Sequence, residues 1–277
     1  PGATSDISKA VRADYGADTL YTELAERSLE GWRRWNDEIS VAGGALFAET
    51  GVTFWTSAPF DRGSFEAESF ELLTERGHRL ARVRRPPFRD GYRNSSGGFV
   101  RSAAGARGLL DDAGLTVERR ALRPGSEDAD VTVLALGAWT PEALPELANR
   151  MWPTAHPVFH LEAPPGAAPE TVWGADISTT GWYGFPALAD GTFKVAKHGR
   201  GLPVRPDSRG EPSESEEEEL RAFLAWAFPQ ADLASAPVRL RRRCVYCDTF
   251  DGDFWIDGSP DRPGVVVAAG GSGHGAK

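Results

Sequence analysis

Val265-Val266-Val267-Ala268-Ala269-Gly270-Gly271-Ser272-Gly273-His274-Gly275-Ala276-Lys277 is the stretch from which the rest of the chain is best read. Its first five residues are a short apolar, β-branched run of the kind that forms a buried strand. Four glycines in the next six residues leave almost no Cβ bulk. Such a turn either brings backbone close to a ligand or needs several positive φ angles. A disordered tail would have the same composition, but the strand immediately before it favours a cradle. His274 within it is a ring neighbour of a ligand or simply a turn residue.

The same grammar recurs upstream. Val131-Thr132-Val133-Leu134-Ala135-Leu136 predicts a buried strand, Gly137-Ala138-Trp139-Thr140-Pro141 a tight turn, and the pattern to Arg150 a helix. Small residues there let a ligand approach the backbone, and a helix N-terminus offers free N–H donors. A turn packed for its own sake fits the segment equally well. A helix is predicted over Asp18 to Asp37, with Leu20, Leu24, Trp32 and Trp35 on one face. Ala45-Leu46-Phe47 and Val52-Thr53-Phe54-Trp55 are predicted to pair across Glu49-Thr50-Gly51. Helical spacing returns over 64 to 76, the segment Gly91 to Gly98 is turn chemistry, and a helix is predicted from Val100 to Ala113. Trp182 to Phe185 and Thr192 to Ala196 bracket Asp190-Gly191 as a hairpin with Lys194 in mid-strand. A surface loop over Arg200 to Glu211 precedes Ser213-Glu214-Ser215-Glu216, which has capping-box spacing ahead of Leu220, Phe223, Leu224 and Phe228. The acidic run there complements a helix dipole and is not assigned to a metal. Lys9 and Arg12, three apart, would share a face of a helical turn and could hold a carboxylate or an anionic cofactor edge; on an ordinary surface they would serve only solubility.

Composition excludes several classes. The 277 residues carry a net charge of -9, which argues against a general nucleic-acid binder. No window approaches the roughly 18 apolar residues of a membrane helix. Two cysteines cannot build a disulfide framework, so a reducing compartment is expected, cytoplasmic or peroxisomal and not secreted. Cys244 and Cys247 have half of a zinc spacing, but there is no second pair and the five histidines are scattered, so no metal is assigned. Arg241-Arg242-Arg243 can favour a thiolate at Cys244, although a solvated arginine strand beside a buried thiol explains the same residues. A thiol–disulfide pair is disfavoured because the run reads as a strand. The chain opens Pro1-Gly2-Ala3 and ends just after the glycine turn, as a fragment of a longer protein would.

Taken in order, these pieces resemble the FAD-dependent amine oxidases of the monomeric sarcosine oxidase and fructosyl amino-acid oxidase family, with the D-amino-acid-oxidase type of flavin fold. The markers are Ser8-Lys9-Ala10-Val11-Arg12-Ala13-Asp14-Tyr15-Gly16, Gly137-Ala138-Trp139, Tyr183-Gly184-Phe185-Pro186 with Lys194 and His198, Cys244-Val245-Tyr246, and Gly271 to Lys277. The ordered set is specific, and it covers nearly the whole chain. The resemblance implies an α/β fold, mixed with α+β character: a truncated FAD-binding fold with a mixed-sheet substrate domain. Residues 1–40, 95–150 and 240–277 would belong to the flavin part, and 41–94 and 151–239 to the substrate part.

The resemblance also implies roles. Cys244 would join FAD covalently, and Lys194 would promote its reoxidation by dioxygen. Arg12 and Lys277 would hold the substrate carboxylate. Lys9 would lie near the flavin, and His198, Tyr183 and Tyr246 on the substrate side. Gly137, Ala138, Trp139, Gly270, Gly271, Ser272, Gly273 and His274 would contact the cofactor. Lys9 matches the fructosyl enzymes and His198 the sarcosine oxidases, so the two substrate markers disagree. The family's opening strand and G-x-G-x-x-G turn are not in this sequence, nor is the helix that follows the final turn. The stretch between Leu109 and Val131 is shorter than in the family, and Ala276 stands where an aromatic residue is common. The expected activity is oxidation of a secondary amine of an N-substituted amino acid, such as sarcosine, a fructosyl amino acid or pipecolate, to an imine and hydrogen peroxide, by a monomer. A loop over Ala155 to Thr180 is expected to shape the pocket. The alternatives are a non-catalytic fragment that binds small carboxylates and a Cys-x-x-Cys thiol oxidoreductase.

Overall fold

Asp18 opens the first helix by accepting a hydrogen bond from the Tyr21 backbone N–H. Side-chain caps of this kind satisfy donors that the first helical turn leaves free. The computed structural model describes residues 2–39, 41, 44–60, 63–118, 129–259 and 261–277. In chain order these form β1 (Lys9–Val11), α1 (Thr19–Glu38), β2 (Phe47–Ala48), β3 (Val52–Thr56), α2 (Phe65–Glu75), β4 (Leu80–Arg82), β5 (Asp90–Asn94), β6 (Gly98–Val100) and α3 (Ser102–Asp112). There follow β7 (Thr132–Leu134), α4 (Thr140–Ala143), β8 (Met151–Glu162), β9 (Val172–Ala175), α5 (Ile177–Thr180), β10 (Trp182–Gly184), β11 (Thr192–Lys197) and β12 (Leu202–Pro203). The last elements are α6 (Glu214–Ala227), β13 (Val238–Thr249), β14 (Trp255–Gly258) and β15 (Val265–Ala269). Of the stretch between Leu109 and Val131, residues 119–128 lie outside the described set.

Among the described residues the strands make a mixed α/β architecture of three sheets. The largest runs β12-β8-β11-β10-β9-β3-β5-β4, with β13 also paired along β8. Two smaller sheets, β1-β6-β2 and β14-β15-β7, bring in the ends of the chain. Successive strand residues point to opposite faces. On one face of the large sheet Phe159, Leu161, Trp173, Trp182, Phe193 and Val195 are buried against Leu220, Phe223, Leu224, Ala227 and Phe228 of α6 and its C-terminus. Helix α6 has the full capping box: the Glu216 N–H donates to Ser213 Oγ, and the Ser213 N–H donates to the Glu216 carboxylate at 2.7 Å. Glu216 also pairs with Arg243 at 2.6 Å, tying the helix start to β13. Ser213→Ala should therefore cost about 1 kcal/mol and lower the thermal midpoint by roughly 2–4 °C, as calorimetry would report.

Several expectations need correction. The 45–47 and 52–55 segments do not pair with each other: β2 lies beside β6, while β3 lies between β5 and β9. Lys9 starts a strand rather than a helical turn, and Arg12 follows directly after it. Within 91–98 only the middle is a turn, because β5 runs to Asn94 and β6 starts at Gly98. The helix to Arg150 is broken into a 3-10 turn at Gly137–Trp139, the short α4 and another 3-10 turn at Pro145–Leu147. Pro145 removes an N–H and forces Leu144 out of helical geometry, to φ -128 and ψ 78. The 131–136 run is an edge strand, with Val131 and Val133 60% and 59% exposed.

Candidate active site

Strand alternation and register assemble the site on the face of the large sheet opposite α6. Cross-strand partners share a face, and the pairs Lys194↔His160, Arg242↔Val158, Cys244↔His156, Tyr246↔Thr154 and Tyr183↔Ala196 all fall on this one. Cys244 packs there with Val158, Ala196 and Tyr246. Cys247, an odd number of residues further along the strand, points the other way and packs with Leu134, Leu144, Met151 and Val267. Both thiols are free and buried. The strand therefore excludes a bond between them, and the thiol–disulfide reading falls.

A second wall comes from β1 and from the turn after β15. Lys9 Nζ donates to Cys244 Sγ at 3.2 Å. The Arg12 guanidinium carbon lies 5.4–5.5 Å from the ring centroids of Tyr15, Phe54 and Phe65, an aromatic cage for a planar cation. Its Nη1 is buried without a hydrogen-bond partner. Lys277 Nζ lies 5.6 Å from the Tyr15 ring, and burial together with the Arg12 charge pushes its pKa well down. The glycine turn is fixed from outside: Ser272 N–H and Oγ both donate to the Cys247 carbonyl at 3.2 Å, and Trp32 Nε1 donates to the Ala276 carbonyl at 3.1 Å. The indole thus braces the turn at Ala276. Positive φ at Gly270, Ser272 and Gly273 bends the turn inward.

Two cavities meet at this wall. One, of about 220 Å³, is lined by Lys9, Arg12, Tyr15, Tyr183, Phe185, His198, Tyr246, His274 and Lys277, among others. The other, of about 520 Å³, is lined by Gly137, Ala138, Trp139, Gly271, Ala276 and Val245, among others. Lys9, Tyr246, Ser272 and Gly273 line both. A Cβ on Gly273 would come within 2.4 Å of the Tyr246 ring, whereas Cβ atoms on Gly137 and Gly271 would meet nothing within 4 Å. The expected pocket loop over 155–180 is largely β8, β9 and α5, and it reaches the smaller cavity through Val172, Trp173 and Ile177. Lys194 lines neither cavity: it is 3% exposed, one layer behind, with Nζ 4.4 Å from the Phe185 ring centroid. Gly270 and Cys244 likewise lie behind the walls, Cys244 beside Lys9.

Sequence reasoning missed Asp6, His156 and His160. His156 and His160 are four apart on a strand, so period-two spacing could have put them on one face. His156 stacks on Tyr246 with centroids 4.0 Å apart and lies 6.4 Å from the His198 ring, so histidines scattered in sequence converge in space. Burial holds the His156 pKa at about 4. The native protein therefore binds fewer protons than the unfolded chain between pH 6.5 and 4, and stability must fall as the pH drops through that window. The loss should be on the order of 3 kcal/mol for this one group. Denaturant midpoints measured across the window should show a smaller loss in His156→Gln.

The family model for FAD dependent oxidoreductases matches residues 1–277. The chain belongs to the FAD dependent oxidoreductase family. Monomeric sarcosine oxidase from Bacillus sp. (strain B-0618) is 26% identical over 320 positions, covering all of this chain and 79% of the relative. N-methyl-L-tryptophan oxidase from Escherichia coli O139:H28 (strain E24377A / ETEC) is 26% identical over 328 positions, covering all of this chain and 81% of the relative. The fold matches a modified fructosyl peptide oxidase from Aspergillus nidulans with TM-score 0.77 at 16% identity, over 99% of this chain and 77% of that one. The fold also matches Amadoriase I from Aspergillus fumigatus, with TM-score 0.72 at 18% identity, over 99% and 74%.

This FAD-dependent oxidoreductase has room for its cofactor's ring system. The 520 Å³ cavity lies within the roughly 300–1,000 Å³ typical of small-molecule sites. The bare faces of Gly137 and Gly271 leave backbone open to it. Among the described residues, no helix is long and apolar enough to cross a membrane, and no cluster of three His, Cys, Asp or Glu side chains could hold a metal ion.

Proposed function

We propose that this FAD-dependent oxidoreductase oxidises the secondary amine of an N-substituted amino acid, of the sarcosine, fructosyl amino-acid or pipecolate kind, with dioxygen as acceptor. The observation that carries this reading is the pair of basic side chains, Arg12 and Lys277, on the wall of a 220 Å³ aromatic cavity that joins the larger one. A buried guanidinium nitrogen without a partner is costly until an anion meets it, and a substrate carboxylate supplies that anion. Tyr183, Phe185 and Tyr246 would exclude water around the carbon that reacts, with His198, held neutral by burial, on the same wall. The C–H bond beside the nitrogen and the N–H bond break, leaving an imine that water hydrolyses; the two electrons and two protons end on dioxygen as hydrogen peroxide. FAD supplies the redox couple between the two half-reactions. The protein's part is positioning and electrostatics.

Cys244 would tether the flavin, with Lys9 beside its sulfur, and Gly137, Ala138, Trp139 and Gly271 to His274 would form the backbone bed. The test is the mass of the Cys244 peptide after acid denaturation and digestion, alongside peroxide release with a panel of secondary amino acids. A flavin mass on this peptide in Cys247→Ser as well as in the parent protein is the expected result. Flavin released entirely by acid would remove the tether, and a yellow protein inert toward every secondary amine would remove the proposed reaction.

A further inference from the structure

Lys194 poses a problem that the proposed reaction does not itself solve. Its ammonium is 3% exposed, and an isolated charge in such a place would lose its proton. Asp6, 1% exposed and just before β1, lies against it, with Lys194 Nζ to Asp6 Oδ2 2.6 Å. Lys194 Nζ donates to the Ser8 carbonyl at 2.6 Å, so a hydrogen bond to Ser8 and the ion pair with Asp6 hold it against one chain segment. Asp6 gathers charge from two further elements: His160 Nε2 on β8 at 3.2 Å and Arg242 on β13 at 3.4 Å, both to Oδ1. Lys9 on β1 and Cys244 on β13 also act on Lys194.

The charge balance gives Asp6 its weight. Lys194, Lys9 and Arg242 are basic side chains, His160 adds an imidazole against the Asp6 carboxylate, and a Cys244 carrying flavin as a thioether would have no charge. Asp6 is then the one carboxylate among these groups.

We propose that Asp6 is a positioning residue for the dioxygen half-reaction: its buried carboxylate keeps Lys194 a charged ammonium, aimed from behind Phe185 toward the cavities. This rests on the proposed oxidase reaction and on the role in flavin reoxidation that the family resemblance implies for Lys194. The physical requirement is simple. Negative charge developing on dioxygen is stabilised by a fixed cation only while that cation keeps its proton. Burial pushes Lys194 down to about 8, with Asp6 the largest opposing influence. Reoxidation should therefore slow as the pH rises through the lysine's titration.

The test is stopped-flow reoxidation of the reduced, flavin-loaded enzyme by dioxygen across pH 6 to 10, with reduction by substrate measured in parallel. In Asp6→Asn the falling limb should move about 1–3 pH units lower, since that is the usual effect of an opposite charge in contact. Reduction by substrate should change far less. Asp6→Glu, which retains the charge, should restore most of the parent profile. An unshifted limb in Asp6→Asn, or equal slowing of both half-reactions, overturns the proposal. Should Asp6→Asn fail to fold or to hold flavin, Lys194→Arg decides the matter: a guanidinium stays charged at these pH values, so the alkaline fall should disappear. Its persistence in Lys194→Arg would assign the titration elsewhere and overturn the proposal. Lys194→Met separates the two levels. Full-speed reoxidation in Lys194→Met would sink the role of Lys194 and the Asp6 proposal with it, whereas slow reoxidation there with an unshifted Asp6→Asn profile would sink only the latter.

Discussion

Lys194→Met is expected to slow reoxidation of the reduced flavin by a factor on the order of 10²–10³, the usual cost of losing one preorganised charge partner for a developing anion. Reduction by substrate should slow by less than tenfold. The asymmetry follows from where the side chain sits. Phe185 stands between Lys194 and the cavity that would take the substrate, so the lysine makes no contact there, yet its charge acts across the ring in a setting stripped of water. Methionine preserves the apolar stem of the side chain, which separates loss of charge from loss of packing. Equal slowing of both half-reactions would show that the substitution had disturbed the site as a whole.

The second large effect belongs to Arg12→Met. Removing one partner of a buried charge pair costs about 2–5 kcal/mol, so kcat/KM for a carboxylate-bearing substrate should fall by roughly 30-fold to several thousandfold. Competitive inhibition by simple aromatic carboxylates should weaken in parallel. A secondary amine without a carboxylate serves as the control and should lose little. The substitution has a further consequence for Lys277, whose titration is pushed down partly by the Arg12 charge. With that repulsion gone, Lys277 should take up its proton more readily in the free enzyme. Proton uptake on carboxylate binding, read by calorimetry in buffers of different ionisation enthalpy, should therefore be smaller in Arg12→Met than in the parent. Unchanged inhibitor affinity in Arg12→Met would show that the carboxylate is held elsewhere.

Much of the local structure was legible in the residues themselves. The capping box at Ser213 and Glu216, the hairpin around Asp190-Gly191 and the strand of Val265 to Ala269 all stand where their spacing predicts. Such signals concern neighbours two to four residues apart, and a short segment carries them whatever surrounds it. The glycine turn is of the same kind, since a run without Cβ atoms states its tolerance of positive φ directly.

Contacts between distant segments were not legible in this way. Lys9 meets Cys244 across 235 residues and Tyr15 meets His274 across 259, and no local pattern announces either. The mistaken pairing of the 45–47 and 52–55 segments has the same origin: Phe47 and the 52–55 run do enter strands, but each finds its partners in a different sheet. Strand register decides such contacts, because a one-residue slip turns every side chain to the other face. Burying Phe159, Leu161, Phe193 and Val195 under α6 obliges His160, Lys194 and Cys244 to face the other way. The residue types were thus determined by sequence alone, including the basic side chains and rings that the chemistry needs, and so was the local geometry at the capping box, the hairpin and the last strand. The tertiary structure alone decided that Asp6 stands against Lys194, because burial of an apolar face selects the register and a buried lysine then requires whichever carboxylate the fold delivers to it.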